Sequence, residues 1–106
     1  MIIAKNDHLY ILSEKPIPID TAYKVMDSLL HANTVLLGGD ILDSNGNYTY
    51  GNWYYEYNSA IDAQQNSKQS VQKAKVYLHS FIERNGSHYY VMLVLRKANI
   101  NQGTVL

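Results

Sequence analysis

The spacing of apolar positions in the first third of the chain predicts a short strand followed by an amphipathic helix. Residues 9–12 form an unbroken apolar run, typical of a strand, and Pro16 and Pro18 end it. Asp20 is a suitable N-cap, and a helix is predicted from there to about Asn33. Its apolar face recurs at helical spacing and consists of Ala22, Tyr23, Met26, Leu29 and Leu30.

The middle of the chain carries the pattern of a β-hairpin. Residues 34–43 and 48–57 are predicted strands around a turn, because Asn45-Gly46 suits a type I′ turn with positive φ at both central residues. If these two residues form the loop, the register places Trp53 opposite Gly38, where an indole ring can cover bare backbone. The glycines of this region can instead form β-bulges, which would shift the register.

A second helix and a last strand follow the hairpin. Residues 58–66 are polar and typical of a loop, and Ser67 or Ser70 is the predicted N-cap of the helix. Asn85-Gly86 is a suitable C-terminal stop. Residues 88–97 are apolar on both faces of a strand, so both faces are expected to be covered. The apolar stripe of the helix comprises Val71, Ala74, Leu78, Phe81 and Ile82.

These elements predict an α+β fold, formed by a single two-layer domain over residues 1–106. The order β-α-β-β-α-β matches the split βαβ plan, in which two helices pack on one face of a mostly antiparallel sheet. That plan puts the last strand at an edge, whereas this last strand is the most apolar. A different strand order on the same elements explains the pattern equally well. The predicted core includes Leu29, Leu78, Phe81, Leu93 and Leu95.

Composition and charge narrow the class of protein. A chain of 106 residues can bury one core without disulfide bonds or metals, and this chain has no cysteine. Its start lacks the features of a signal peptide, and no apolar stretch is long enough to cross a bilayer, so we expect a cytoplasmic protein without membrane contact. Nine basic and nine acidic side chains cancel, which argues against direct binding of nucleic acid.

No pattern of reactive residues indicates an enzyme. The four histidines are widely spaced and match no zinc motif. Asp40 and Asp43 are the most suggestive carboxylates, but strand alternation sends them to opposite faces, which is poor geometry for an acid/base pair. We therefore expect no catalytic, cofactor-binding or metal-binding residues.

The densest feature is a group of aromatic residues in the returning strand of the hairpin. Strand alternation divides them into two sets on opposite faces, namely Tyr48, Tyr50 and Tyr54, and Trp53, Tyr55 and Tyr57. Because only one face can meet the two helices, at least three large aromatic side chains are expected on the open face unless something covers them. Trp and Tyr commonly anchor protein interfaces and also suit strands and cores, so both interpretations stay open.

Two short motifs flank the predicted turn. The first is the run from Val35 to Leu42 that contains Gly38-Gly39-Asp40, and the second is Asn52-Trp53-Tyr54-Tyr55-Glu56. Together they resemble the immunity protein 40 family of bacterial polymorphic toxin systems, and the wider resemblance spans about residues 17–97. The resemblance implies a small cytoplasmic α+β protein that is encoded beside a secreted toxin, binds the toxin domain and blocks it.

The leading hypothesis is therefore a toxin-neutralising binding protein. One alternative is a small ligand-binding or enzymatic domain with a pocket near Asp40, Trp53 and Glu56. Another is a regulatory domain that forms a homodimer through an exposed sheet. The expected partner-binding residues lie in the hairpin and just after it: Asp40, Asp43, Trp53, Tyr55, Glu56 and Tyr57.

Overall fold

The computed structural model describes the backbone of residues 2–5, 8–12, 15–32 and 34–98, and the side chains of residues 15–32 and 34–96. The α+β class is confirmed, and the longer elements follow the predicted order β-α-β-β-α-β, with the short strands β1 and β3 in addition. The elements in these ranges are β1 (Ile2–Lys5), β2 (His8–Leu12), β3 (Ile17–Pro18), α1 (Ile19–Leu29), β4 (Thr34–Leu42), β5 (Tyr48–Tyr54), α2 (Ala63–Asn85) and β6 (Tyr90–Ala98).

The strands form one antiparallel sheet in the order β1-β2-β6-β4-β5, and β3 pairs with the start of β6. The last strand, β6, therefore lies in the middle of the sheet, between β2 and β4. The split βαβ plan puts this strand at an edge, so that strand order is wrong, and a different order on the same elements is observed. The position explains the apolar character of β6, because Val91 and Leu93 are buried in the core while Met92 and Val94, on the other face, are half-buried.

Both helices pack on one face of the sheet, as predicted. The buried cluster between the layers joins Met26 of α1 and Leu78 of α2 to Leu36 and Ile41 of β4. Burial of these side chains from distant segments is the main source of stability in such a domain. The predicted core residues are buried except for Leu95, which is half-buried; the buried ones are Leu29, Leu78, Phe81 and Leu93.

The first helix, α1, begins without the predicted N-cap. It starts at Ile19, Pro18 occupies the N-cap position without a side-chain hydrogen bond, and Asp20 lies in the first turn. The Ile19 amide donates instead to a backbone carbonyl of the segment before β6, at 3.2 Å. Asp20 as N-cap is therefore wrong, although a carboxylate in the first turn still favours the helix through its macrodipole. The helix ends at Leu29, and Asn33, its predicted end, lies outside the described residues.

The second helix, α2, begins earlier than predicted. Asp62 is its N-cap, and the Asp62 side chain accepts a hydrogen bond from a backbone amide of the first turn at 2.8 Å. The predicted caps, Ser67 and Ser70, are wrong because both lie inside the helix and are fully buried. The Ser70 hydroxyl accepts a hydrogen bond from the amide of Leu36 at 2.9 Å, so it links α2 to β4. The helix ends at Asn85, as predicted.

The tight turn inside the segment between β4 and β5 contains three residues instead of the predicted two. The amide of Asp43 donates to the carbonyl of Asn47 at 2.9 Å, so these residues close a loop over positions 44–46. The Asp43 carboxylate accepts hydrogen bonds from the amides of Asn45 and Asn47 at 2.9 and 3.0 Å. The type I′ turn is therefore wrong, but Gly46 has the predicted positive φ, 84°. Glycine in this conformation is common at the last position of three-residue hairpin loops.

Replacing Gly46 by valine should lower the free energy of unfolding by about 1 kcal/mol or more, because a β-branched residue is strained at positive φ. A Cβ atom here would meet no other atom within 4 Å, so the expected loss comes from the backbone conformation. Gly46→Asn is the matched control and should lose less, since asparagine tolerates this region. Urea denaturation of the three proteins measures the difference. A loss near zero for Gly46→Val would contradict the observed φ.

The hairpin register shifts along its length because the strand pair contains an irregularity between Asp40 and Leu42. Trp53 lies opposite Gly39, so the predicted pairing of Trp53 with Gly38 is wrong by one residue. The predicted contact between the indole ring and a glycine is nevertheless confirmed. A Cβ atom on Gly39 would lie only 2.6 Å from Cη2 of Trp53, so a larger residue would displace the ring.

Candidate functional site

The two faces of β5 differ in exposure. The exposed fractions of Tyr48, Tyr50 and Tyr54 are 67%, 101% and 64%, whereas that of Trp53 is 7%. Trp53 and Gly51, at the odd-numbered positions, face α2. The even-numbered positions point to the open face, which is the face of β4, β5 and β6 turned away from the helices. The expectation that at least three large aromatic side chains lie on the open face is confirmed.

Trp53 and Tyr55, two of the expected partner-binding residues, lie in the interior with exposed fractions of 7% each. The Trp53 ring centroid is 5.6 Å from that of Tyr77 in α2. The Tyr55 hydroxyl donates a hydrogen bond to Oδ1 of Asn66 at 2.7 Å. Such buried side chains offer a partner little contact area, and their direct contact with a partner stays a prediction. Alternation divides the aromatic residues into two sets, but it does not tell which set the helices cover.

Glu56 and Tyr57 lie in the segment that leads from β5 to α2. Glu56 is exposed and Tyr57 is half-buried. The guanidinium carbon of Arg96 in β6 lies 3.5 Å from the centroid of the Tyr57 ring, which is a cation–π contact. Tyr57 is thereby held against one end of the sheet, and Glu56 remains accessible beside it.

Asp40 and Asp43 have different surroundings. Asp40 is half-buried on the open face, where its cross-strand neighbours are Asn52 of β5 and Met92 of β6. Its carboxylate makes no hydrogen bond or ion pair within the part of the chain that the structure describes. Asp43 lies beyond the end of β4, and its carboxylate orders the hairpin loop. Of these two carboxylates, Asp40 is therefore the one that has no hydrogen bond to the described residues and would break none of them on binding a partner.

A buried asparagine in the first turn of α2 organises the segment between β5 and the helix. Oδ1 of Asn66 accepts hydrogen bonds from the Tyr55 hydroxyl and from the amide of Asn58, at 2.7 and 2.8 Å. Nδ2 donates to the carbonyls of Asn58 and Asp62, at 2.9 and 3.1 Å. Burial raises the pKa of Tyr55, and the nearby Tyr57 raises it further. We call these contacts the Asn66 clamp; no sequence signal separates Asn66 from the exposed polar residues around it.

The sequence matches the family model described as immunity protein 40 over residues 10–95, which is more than half of the chain. The chain belongs to the immunity protein 40 family. The resemblance inferred from the hairpin motifs is thereby confirmed. No curated protein and no solved structure gives a match to the chain.

The matched segment of the chain contains both helices, the hairpin and all of β5. It also contains every expected partner-binding residue. Within this segment the structure brings Asp40 together with the exposed tyrosines of β5 on the open face. It places Trp53 and Tyr55 behind that face, Asp43 at the hairpin loop, and Glu56 and Tyr57 beyond the end of β5.

The alternative pocket near Asp40, Trp53 and Glu56 is not assembled in the described residues. The cross-strand register puts Asp40 on the open face and Trp53 on the helix side, so the sheet separates the two side chains. Glu56 lines an open depression with residues 57–59. Among the described residues, no group of three or more His, Asp or Glu side chains could hold a metal ion. None of the described helices is long and apolar enough to cross a bilayer.

Proposed function

We propose that this immunity protein binds the active domain of a cognate bacterial toxin in the cytoplasm and blocks it by occupying its surface, without catalysis. Membership of the immunity protein 40 family supports a toxin as the partner. A blocking protein needs rigid anchors and complementary charge, and it needs no nucleophile, metal or cofactor. The open face of the hairpin offers both features.

The proposed contact surface is the tyrosine face, which we define as Tyr48, Tyr50, Tyr54, Asp40 and Asn52. The observation that carries the proposal is the exposure of its three tyrosines, 67%, 101% and 64%, on a strand whose other face is buried or half-buried. Each tyrosine combines a large apolar ring with a polar tip, and such side chains are frequent energetic anchors of interfaces. Clustered exposed aromatic residues usually mark a binding surface.

The tyrosine face is supported by packed side chains on the opposite side of β5. Behind it, the Trp53 ring packs on Gly39 and against α2. At one end the Asn66 clamp fixes the segment that carries Glu56 and Tyr57, which extend the proposed surface. At the other end Asp43 orders the loop. A preorganised surface loses less conformational entropy on binding, and this favours affinity. In this proposal Trp53 and Tyr55 act through the fold, and Asp40, Glu56 and Tyr57 contribute to the contact.

Co-expression with the toxin domain encoded beside this chain tests the proposed function. We expect the immunity protein to restore the growth of cells that produce the toxin domain, and the two proteins to co-purify as a stable complex. A chain with Tyr48, Tyr50 and Tyr54 all replaced by alanine serves as the matched control and should rescue poorly. Toxicity without rescue by the wild-type chain would overturn the proposal.

Tyr50→Ala should weaken the complex with the toxin domain by about 1–2 kcal/mol, the range for loss of an interface anchor, and leave the melting temperature almost unchanged. Tyr50 is fully exposed, so its removal opens no cavity. Val76→Ala, a truncation of an exposed residue on the outer side of α2, is the control and should change neither quantity. Calorimetry and thermal melts measure both. A loss of binding in proportion to lost stability would show that Tyr50 is structural.

A further inference from the structure

The outer edge of β5, the strand at the edge of the sheet, makes hydrogen bonds to other groups of the same chain. The amide of Asn52 donates to the hydroxyl of Tyr77 in α2 at 2.9 Å, and the Asn52 side chain donates to the carbonyl of Tyr50 at 3.3 Å. A partner that extended the sheet by adding a strand would have to displace these contacts in the middle of β5. The structure therefore favours a partner that approaches β5 through side chains on the open face.

The centre of the tyrosine face carries a carboxylate, that of Asp40, which forms no ion pair with any side chain in residues 15–32 and 34–96. Asp40 lies across from Asn52, and the next residues along β5 on the same face are Tyr50 and Tyr54. Diagonal cross-strand neighbours are within reach of long aromatic side chains. Asp40 is thus a carboxylate on the same face as the two tyrosines that flank its cross-strand neighbour, and the exposed Glu56 adds a second negative charge past the end of the strand.

The described cations on this side of the sheet lie near its two ends. Arg96 contacts the ring of Tyr57 at one end. Lys15 lines a depression with Asp43 at the other end, next to the hairpin loop. Neither forms an ion pair with Asp40 in the described ranges. The charge at the centre of the face is therefore available to a cation from outside.

We propose that the tyrosine face receives an arginine or lysine side chain of the toxin, with its cationic group paired with Asp40 and in contact with the rings of Tyr50 and Tyr54. This inference rests on the proposed function and names the chemistry of the partner at that site. A carboxylate and aromatic rings together stabilise a cation through charge-assisted hydrogen bonds and cation–π attraction. Arginine suits the site best, because its planar guanidinium can stack on a ring while it binds a carboxylate.

A second copy of this chain fits the tyrosine face less well than a basic partner. A symmetric contact uses the same patch on both subunits. It would bring two Asp40 carboxylates toward each other, and juxtaposed like charges oppose association. Charge complementarity therefore favours a basic segment of the toxin over a homodimer through this face.

The test measures the Kd of the toxin domain for Asp40→Asn and Asp40→Lys, with Glu83→Gln as the matched control. Glu83 is an exposed carboxylate on α2, on the opposite side of the domain. We expect binding to weaken about tenfold for Asp40→Asn and roughly a hundredfold for Asp40→Lys, and to change by less than about twofold for Glu83→Gln. The wild-type affinity should fall as salt concentration rises. Thermal melts of every variant identify any loss of fold.

The outcomes separate the two proposals. If the wild-type chain does not bind the toxin domain, the proposed function fails. If the wild-type chain binds and the folded Asp40 variants bind equally well, the inference of a basic side chain is overturned while the proposed function stands. A toxin variant with an arginine or lysine changed to glutamate that restores binding to Asp40→Lys would support the inference directly. A wild-type dimer that Tyr50→Ala converts to a monomer would overturn it in favour of a second copy.

Discussion

Phe81→Ala is expected to lower the free energy of unfolding by about 3–5 kcal/mol, the range for truncation of a buried aromatic side chain. Phe81 is buried where α2 meets the hairpin. Its ring packs over Gly51 of β5 and meets the ring of Tyr89 edge-on, with centroids 5.0 Å apart and an interplanar angle of 89°. Because Gly51 has no side chain to move into the space, the alanine variant keeps most of the cavity.

Urea denaturation measures this loss, and the single tryptophan, Trp53, provides a fluorescence signal from the same interface. Val76→Ala is the control on the same helix. Val76 is 59% exposed, so its truncation should change the free energy of unfolding by no more than about 0.5 kcal/mol. If Phe81→Ala cost no more than Val76→Ala, the packing of α2 on the hairpin through this face would be wrong.

The helices could be predicted because their burial repeats with the helical period. In α2 the buried positions Val71, Ala74, Leu78 and Phe81 follow one stripe, and no distant residue is needed to recognise it. The start of the same helix could not be predicted. Whether Ser70 caps a helix or links it to another element depends on β4, which supplies the Leu36 amide from a distant part of the chain.

Strand order was only partly predictable. An apolar pattern on both faces indicated that β6 is covered on both sides, and its central position agrees with that pattern. The pattern does not identify which strands pair with β6, however. The short strands β1 and β3 also carry too few residues for a periodic signal. The predicted two-residue turn of the hairpin was wrong for a related reason. Asn-Gly favours a two-residue turn, but the Asp43 carboxylate binds two loop amides and stabilises a three-residue loop.

The candidate site could also be predicted only in part from the sequence. Alternation correctly separated Trp53 and Tyr55 from the three exposed tyrosines of β5, but the strand ends at Tyr54, and Tyr57 packs on Arg96 instead of joining the buried set. The face that α2 covers is set by long-range packing. The rings that looked like interface residues, Trp53 and Tyr55, are buried because Gly39 gives Trp53 room and Asn66 gives Tyr55 a hydrogen-bond acceptor. Neither Gly39 nor Asn66 is adjacent in sequence to the aromatic residue that it contacts, so residue type and spacing could not reveal these contacts.

Asn66→Ala is expected to lower the free energy of unfolding by about 3 kcal/mol or more, because each buried polar group left without a partner costs about 1–3 kcal/mol. The substitution leaves the Tyr55 hydroxyl and the amide of Asn58 without their acceptor, whereas the carbonyls of Asn58 and Asp62 keep backbone donors. Gln65→Ala is the matched control, since Gln65 is an exposed neighbour in the same turn and should change stability by less than about 0.5 kcal/mol.

The pH dependence of stability tests the burial of Tyr55, the residue whose hydroxyl donates to Asn66. Burial raises the pKa of Tyr55 above its ordinary value of 10.0, so the folded state holds this proton more tightly than the unfolded state. The stability that this contributes is complete below pH 10 and is lost as the pH rises through the folded-state pKa. Tyr55→Phe removes this group, so its free energy of unfolding should fall less steeply above pH 10 than that of the wild-type chain. Equal alkaline slopes, together with an Asn66→Ala loss no larger than that of Gln65→Ala, would contradict the clamp.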